Sequence, residues 1–197
     1  FGMTDIAKPT GDDCVLISGA GGAVGTIAGQ IAKLAGARVV GIVGSQKKAD
    51  WLCEALGYDA AVIRSGDTAL TQAIADACPT GVDVFFDNVG GQTLEAAISN
   101  MNHRGRLVLC GAISGYGVTP HGPGNLFELI TKELSVEGFM THFRHERYDE
   151  AREQLSVWLR EGMIQSPEHR LEGIGNVGKA FADLFAGENF GKTIVAL

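Results

Sequence analysis

Cysteine is scarce and scattered: the four in 197 residues, Cys14, Cys53, Cys78 and Cys110, include no C-x-x-C pair. That argues against a zinc ribbon, a thioredoxin-type dithiol or a disulfide framework, and points to reduced thiols in a cytoplasmic protein. There are only five prolines and the glycines follow no Gly-X-Y period, so neither a collagen nor a Pro/Gly low-complexity chain fits. No apolar run approaches the roughly 18 residues that span a bilayer, and the N-terminus lacks the charged and apolar regions of a signal peptide. Positive charge is thin as well. Lys and Arg total 16 against 23 Asp and Glu, a formal net charge of −7, and no basic run exceeds two residues. Neither a nucleic-acid backbone nor an anionic membrane finds an electrostatic footprint there, which leaves small molecules as the expected partners. The chain opens on Phe1 rather than Met, as a piece beginning inside a longer protein would.

Glycine is what the chain has in excess: 28 residues, about 14% where about 7% is ordinary. It punctuates a regular alternation. Cys14 to Ser18 is an apolar run bounded by turn residues, as a strand buried in a parallel sheet must be. Val24, Ile27, Ala28, Ile31 and Leu34 then recur at helical spacing, with Gly36 as the stop. The rhythm continues with a strand over 38–43, a helix capped by Ser45 and running to Leu56, a strand over 60–63 and a helix over 67–78 ended by Pro79. Next come a strand over 82–87, a helix over 92–101, a strand over 106–109, a helix near 125–132 and a sixth strand near 134–138. Such alternation with short links predicts an α/β fold, a Rossmann doubly wound parallel sheet of about six strands with helices on both faces. The loop 111–124 is the one long connection, of a length that serves function or motion. After a helix over 148–161 the order changes to strand (169–171), helix (177–185) and strand (193–196). This predicts one domain over 1–164 and a different packing unit over 165–197.

Between the first strand and its helix lies Gly19-Ala20-Gly21-Gly22-Ala23-Val24-Gly25. A strict G-x-G-x-x-G would need glycine at 24, where Val24 stands; the match is Gly19, Gly22 and Gly25 spaced by three. Glycines there let the backbone turn sharply and approach a pyrophosphate, to which the helix N-terminus offers N–H groups and partial positive charge. The alternative is a tight turn with close helix–strand packing. An NAD site would place Asp or Glu at the end of the second strand. Here Gly44-Ser45 stands there, followed by Gln46-Lys47-Lys48. No carboxylate repels a 2′-phosphate, and Lys48 can bond to one, which favours NADPH; the alternative is a solvated lysine pair. Arg64, ending the third strand, adds a second contact or is simply exposed. Asp87-Asn88-Val89-Gly90-Gly91 and Cys110-Gly111-Ala112-Ile113-Ser114 end the fourth and fifth strands and would floor the nicotinamide side. Asp87 is expected to anchor neighbouring N–H groups rather than act as a base. Cys110 has no local partner for nucleophilic or metal chemistry, and His142 and His145 have helical metal spacing but no carboxylate, so no metal site is expected.

From Val15 to Ser114 these residues, with Gln30-Ile31-Ala32-Lys33, closely resemble the zinc-independent medium-chain dehydrogenase/reductases. Within them the chain is most similar to the prostaglandin reductase, 2-alkenal reductase and curcumin reductase group. The likeness extends to Glu137-Gly138-Phe139 and to the closing Gly187-Glu188-Asn189-Phe190-Gly191-Lys192-Thr193. The resemblance implies NADPH-dependent reduction of the carbon–carbon double bond of α,β-unsaturated ketones and aldehydes by hydride transfer. NADPH:quinone oxidoreduction and a non-catalytic NADP-binding module are the rivals. By matching positions, Lys48 would hold the 2′-phosphate, with Ser45 and Arg64 nearby, and Gly22, Ala23, Val24 and Gly25 the pyrophosphate. Asn88, Cys110 and Ala112 would line the nicotinamide region, Phe139 and Thr141 would meet the carboxamide by main chain, and Asn189 would reach the cofactor from the tail.

The chain departs from that pattern in three places. Arg64 stands where many relatives have a tyrosine near the adenosine, a place where a guanidinium can bind the 2′-phosphate or stack on adenine; Thr131 replaces a second tyrosine, which puts a tyrosine proton relay in doubt and leaves Tyr116 as a conditional substitute. A GroES-like catalytic domain of roughly a hundred residues precedes this region in the family and is absent here, so 165–197 resembles its return segment. Relatives also commonly form homodimers through an edge strand of this domain.

Overall fold

The computed structural model describes residues 1–64, 67–117 and 122–197. Its order follows from where apolar runs can hide. Cys14–Ser18 (β1) is buried along its whole length, and Arg38–Val43 (β2) and Val82–Asp87 (β4) nearly so. Strands of that kind need helices on both faces. The helices are Ala23–Leu34 (α1), Gln46–Leu56 (α2), Asp67–Ala77 (α3) and Gly91–Asn100 (α4), and the remaining strands of this sheet are Ala60–Ile63 (β3), Met101–Leu109 (β5) and Ser135–Gly138 (β6). All six strands run parallel in the order β3-β2-β1-β4-β5-β6. This is the doubly wound Rossmann sheet expected from the sequence.

Successive side chains of a strand point to opposite faces, so the two faces hold separate cores. Val15, Ile17, Val39, Val84 and Phe86 pack with Ala28 and Ala32 of α1 and Leu52 of α2. Leu16, Val40, Ile42 and Phe85 pack with Ile74 of α3 and Ala97 and Ile98 of α4 on the other side.

Several boundaries differ from the pattern reading. β5 begins at Met101, five residues early, because the polar run Asn102-His103-Arg104 hides its start; Asn102 Nδ2 donates to Asp83 Oδ1 at 2.8 Å and Met101 pairs with Val82. Two helical turns, Gly2–Ala7 and Thr141–Arg147, were not legible as elements. They are tied to each other by Asp5, which accepts from Arg147 Nη1 at 2.6 Å. His142 and His145 lie exposed on the second of these turns. The loop 111–124 opens with a short turn, Ile113–Gly115, and its residues 118–121 lie outside the described residues.

Beyond the short helix Phe127–Thr131 (α5) and the long Tyr148–Arg160 (α6), the tail forms Glu168–Glu172 (β7), Val177–Ala186 (α7) and Lys192–Ala196 (β8). β7 and β8 form a separate two-stranded parallel sheet. Two contacts tie this tail to α1: a bridge between Gly22 and Gly191, and a reciprocal pair in which Gln30 Nε2 donates to Gln165 O at 2.9 Å and Gln165 N to Gln30 Oε1 at 2.6 Å. Among the described residues no helix is long and apolar enough to cross a membrane.

Candidate functional site

β1 and β4 are neighbours whose following helices leave to opposite faces, and at such a switch point a crevice opens beyond the strand ends. The glycine turn stands at its mouth. Gly19 has φ +59°, Gly22 N donates back to Gly19 O at 3.0 Å, and Ala20 N reaches across to Ile42 O at 3.2 Å. α1 starts from Gly22 with no side-chain cap. The N–H groups of its first turn therefore face the crevice without a capping oxygen, and a pyrophosphate supplies what such a terminus lacks. Ala23 and Val24 open that helix, Val24 being 49% exposed. Gly25 lets the helix approach the turn: a Cβ there would lie 2.5 Å from Gly19 O. Tyr58, fully buried, donates its hydroxyl to Gly25 O at 2.7 Å and holds the same turn from behind; burial pushes its phenol pKa up.

The β4 end is a closed hydrogen-bond network. Buried Asp87 accepts from Ser18 Oγ at 2.6 Å, from Val89 N at 2.9 Å and from Gly90 N at 3.0 Å. Burial pushes its carboxyl upward while these bonds oppose the shift. It anchors backbone N–H groups, as its position suggested. Asn88 is fixed on the same strand end by its N to Ser18 Oγ at 2.8 Å and its Nδ2 to Ser18 O at 2.7 Å. The β5 turn docks onto this network, with Cys110 N donating to Asp87 O at 2.8 Å and Ser114 N to Val89 O at 3.0 Å. Ala112 stands exposed beside Gly90. Cys110 is half-buried, and burial raises its thiol pKa, as expected of a packing residue rather than a nucleophile.

At the β2 end Ser45 caps α2, its Oγ accepting from Lys48 N at 3.4 Å. Lys48 is only 7% exposed, unlike a solvated surface lysine. Its stem runs along the glycine turn, so that a Cβ on Gly21 would stand 3.2 Å from Lys48 Cδ, and Nζ donates to Gly187 O at 2.6 Å. Burial lowers its pKa, and neighbouring Glu188 works against that shift. Arg64 stands exposed at the end of β3, placed by its N bonding to Val43 O at 2.8 Å. No carboxylate closes β2, so this corner has the donor set that a 2′-phosphate needs.

A cavity of about 940 Å³ brings Ala23, Val24, Phe139 and Thr141 together with Phe86 and, from α6, Trp158. That size suits a ligand. Phe139 N is spent on Leu109 O at 3.2 Å and Cys110 N on Asp87 O, so what either offers a ligand is its carbonyl or side chain. Thr141 opens the exposed turn after β6. Asn189 is buried in the tail loop with Nδ2 on Gly191 O at 2.9 Å. Tyr116 is exposed on the loop after β5. The contribution of α6 is signalled only by its apolar face, Ala151, Leu155 and Trp158. Among the described residues no three His, Cys, Asp or Glu side chains gather as a metal-binding group.

Residues 23–156 match the family model described as zinc-binding dehydrogenase. The chain belongs to that family. Within this dehydrogenase family it falls in the prostaglandin reductase and curcumin reductase group of medium-chain dehydrogenase/reductases. Prostaglandin reductase 1 of Bos taurus is 45% identical over 99% of this chain and 60% of its own length. The solved structure of CurA from Vibrio vulnificus in complex with NADPH superposes with a TM-score of 0.90 at 36% identity, covering 99% of this chain and 60% of that one. The Escherichia coli quinone oxidoreductase complexed with NADPH matches with a TM-score of 0.78 at 26% identity, over 98% of this chain and 59% of that one. The chain thus spans about 60% of the length of these relatives.

Proposed function

We propose that the chain is the NADP(H)-binding portion of a reductase that adds hydride to the carbon–carbon double bond of α,β-unsaturated ketones and aldehydes. The observation that carries this reading is the pairing, at one switch point, of an uncapped glycine turn with a carboxylate-free β2 end beside buried Lys48. The NADPH in the CurA structure and the name of prostaglandin reductase 1 support it. NADPH supplies the hydride when bound. The residues of this chain hold and orient it: the turn from Gly22 through Ala23 and Val24 to Gly25 takes the pyrophosphate, and Lys48, with Ser45 and Arg64 beside it, takes the 2′-phosphate. Asn88, Cys110, Ala112, Phe139 and Thr141 shape the nicotinamide end, and Asn189 meets the cofactor from the tail. Orienting two reactants and excluding water can account for much of the acceleration in such a reaction. Tyr116 is the conditional proton donor. The reading extends to a cytoplasmic, zinc-independent homodimer, with 1–164 as the cofactor domain and 165–197 as a segment returning to a GroES-like domain.

NADPH at 100 times its Kd is expected to stabilise the fold by about 2.7 kcal/mol, and NADH by much less at the same concentration. Thermal unfolding with each nucleotide checks this, and equal shifts overturn the 2′-phosphate assignment. Lys48→Ala is expected to weaken NADPH binding by about 1.5–3 kcal/mol and leave NADH nearly unaffected, measured calorimetrically. Quinone reduction is the second reading, favoured by the match to the Escherichia coli enzyme. Turnover of an enone against a quinone by a protein carrying both domains separates the two.

A further inference from the structure

Lys48 is held from the far end of the chain. α7 closes at Gly187, φ +71°, and the Gly187 carbonyl accepts from Lys48 Nζ at 2.6 Å. The last carbonyls of a helix carry partial negative charge, so an ammonium is favoured there. Three residues on, the Phe190 ring lies 5.4 Å from Lys48 Nζ and 5.2 Å from Lys47 Nζ. Trp51 of α2 meets that ring edge-on, centroids 5.2 Å apart, and fixes it between the helix and the two ammonium groups. The loop is pinned to the glycine turn by Gly191 N donating to Gly21 O at 2.8 Å. A lysine side chain has a flexible four-carbon stem, and binding normally has to order it. Here the ordering is done in advance. Among the described residues Gly187 O is its one hydrogen-bond acceptor, so two of the three ammonium donors remain for a ligand.

We propose that Phe190 is a specificity-determining positioning residue: its ring, with the end of α7, sets the Lys48 ammonium beside Gly21, so that the tail loop confers preference for a 2′-phosphorylated nucleotide. Nothing in the glycine turn itself senses that phosphate. The role rests on the reading of Lys48 as the 2′-phosphate ligand, and the test separates the two. Calorimetric titration uses 2′,5′-ADP, which carries the phosphate, and 5′-AMP, which does not. Phe190→Leu keeps the apolar bulk and removes the π-face; it is expected to weaken 2′,5′-ADP about five- to thirtyfold, the worth of a desolvated cation–π contact, with 5′-AMP changed less than about twofold. Phe190→Tyr retains the face and is expected to bind both as the parent does. Trp51→Leu, which leaves the ring in place but removes the wall behind it, gives an independent measurement with the same expected sign should the Phe190→Leu chain not fold. Equal losses for both nucleotides, or no loss for either, overturn the role of Phe190. If Lys48→Ala also leaves discrimination intact, the 2′-phosphate reading itself fails; if Lys48→Ala loses it and Phe190→Leu keeps it, only the positioning role does.

Discussion

Gly25 carries the tightest steric demand in the glycine turn. A Cβ there would lie 2.5 Å from Gly19 O and 2.6 Å from Ala20 Cα, backbone atoms that cannot step aside, whereas at Gly21 it would meet only the flexible Lys48 stem at 3.2 Å. Gly25→Ala is therefore expected to destabilise the fold by about 1–3 kcal/mol, as overpacking does, and to abolish stabilisation by NADPH because the turn must open. Urea unfolding with and without the cofactor measures both effects. At this scale the sequence is readable wherever the demand is local: a glycine needed three residues from another glycine leaves its mark in the spacing. Lys48 is the contrary case. Its place in α2 is legible, but its burial comes from Gly187 and Phe190, more than 130 residues away, and no local pattern encodes a partner at that distance. The Tyr58 hydroxyl on Gly25 is hidden for the same reason.

Elements were legible where burial made them apolar and obscure where polar contacts built them. β1, β2 and β4 announce themselves because both faces are covered; the start of β5 and the turn Thr141–Arg147 do not, being held by Asn102, Asp5 and arginines. Asp59 shows what such a polar joint does. It follows α2, accepts from Lys33 Nζ of α1 at 2.8 Å and from Val39 N of β2 at 2.7 Å, and so binds three segments at one point. Burial pushes its carboxyl pKa up, but the Lys33 and Val39 bonds outweigh this and hold it below its ordinary value of 3.8. A carboxyl with a depressed pKa in the folded state stabilises the fold above the unfolded-state value. That contribution is lost as pH falls through the folded one. Asp59→Asn is thus expected to flatten the acid limb of the stability curve, so that variant and parent differ more at about pH 6 than at about pH 3 in urea midpoints.

At the scale of the whole molecule, two cores fill the faces of the sheet, and among the described residues two surfaces stand uncovered. The tail presents the apolar side of α7, with Phe181 and Phe185 exposed and their rings 4.9 Å apart, and relatives are longer than this chain by enough residues to supply a second domain. The break in rhythm near residue 165 is visible in the sequence because the βα alternation stops there, and β7 and β8 pair with each other rather than with the six-stranded sheet. The other surface is the β6 edge. β6 is hydrogen-bonded on one side to β5 and is exposed along its length, and α5, which precedes it in the chain, exposes Phe127 at 72% and Ile130 at 71%. A parallel sheet ending in a bare strand offers an unpaired row of N–H and C=O groups, and a second copy related by a two-fold axis can pair with it edge to edge, continuing the sheet. Charge on such an edge opposes pairing, since lysines facing each other across a two-fold must be desolvated together. For the proposed homodimer, Val136→Lys is therefore expected to give monomer in sedimentation equilibrium while leaving the preference for NADPH over NADH unchanged, because Lys48 stands beside β2, on the other side of the sheet from β6. A parent chain that sediments as a monomer at concentrations well above those used for activity would remove the edge strand as the dimer contact.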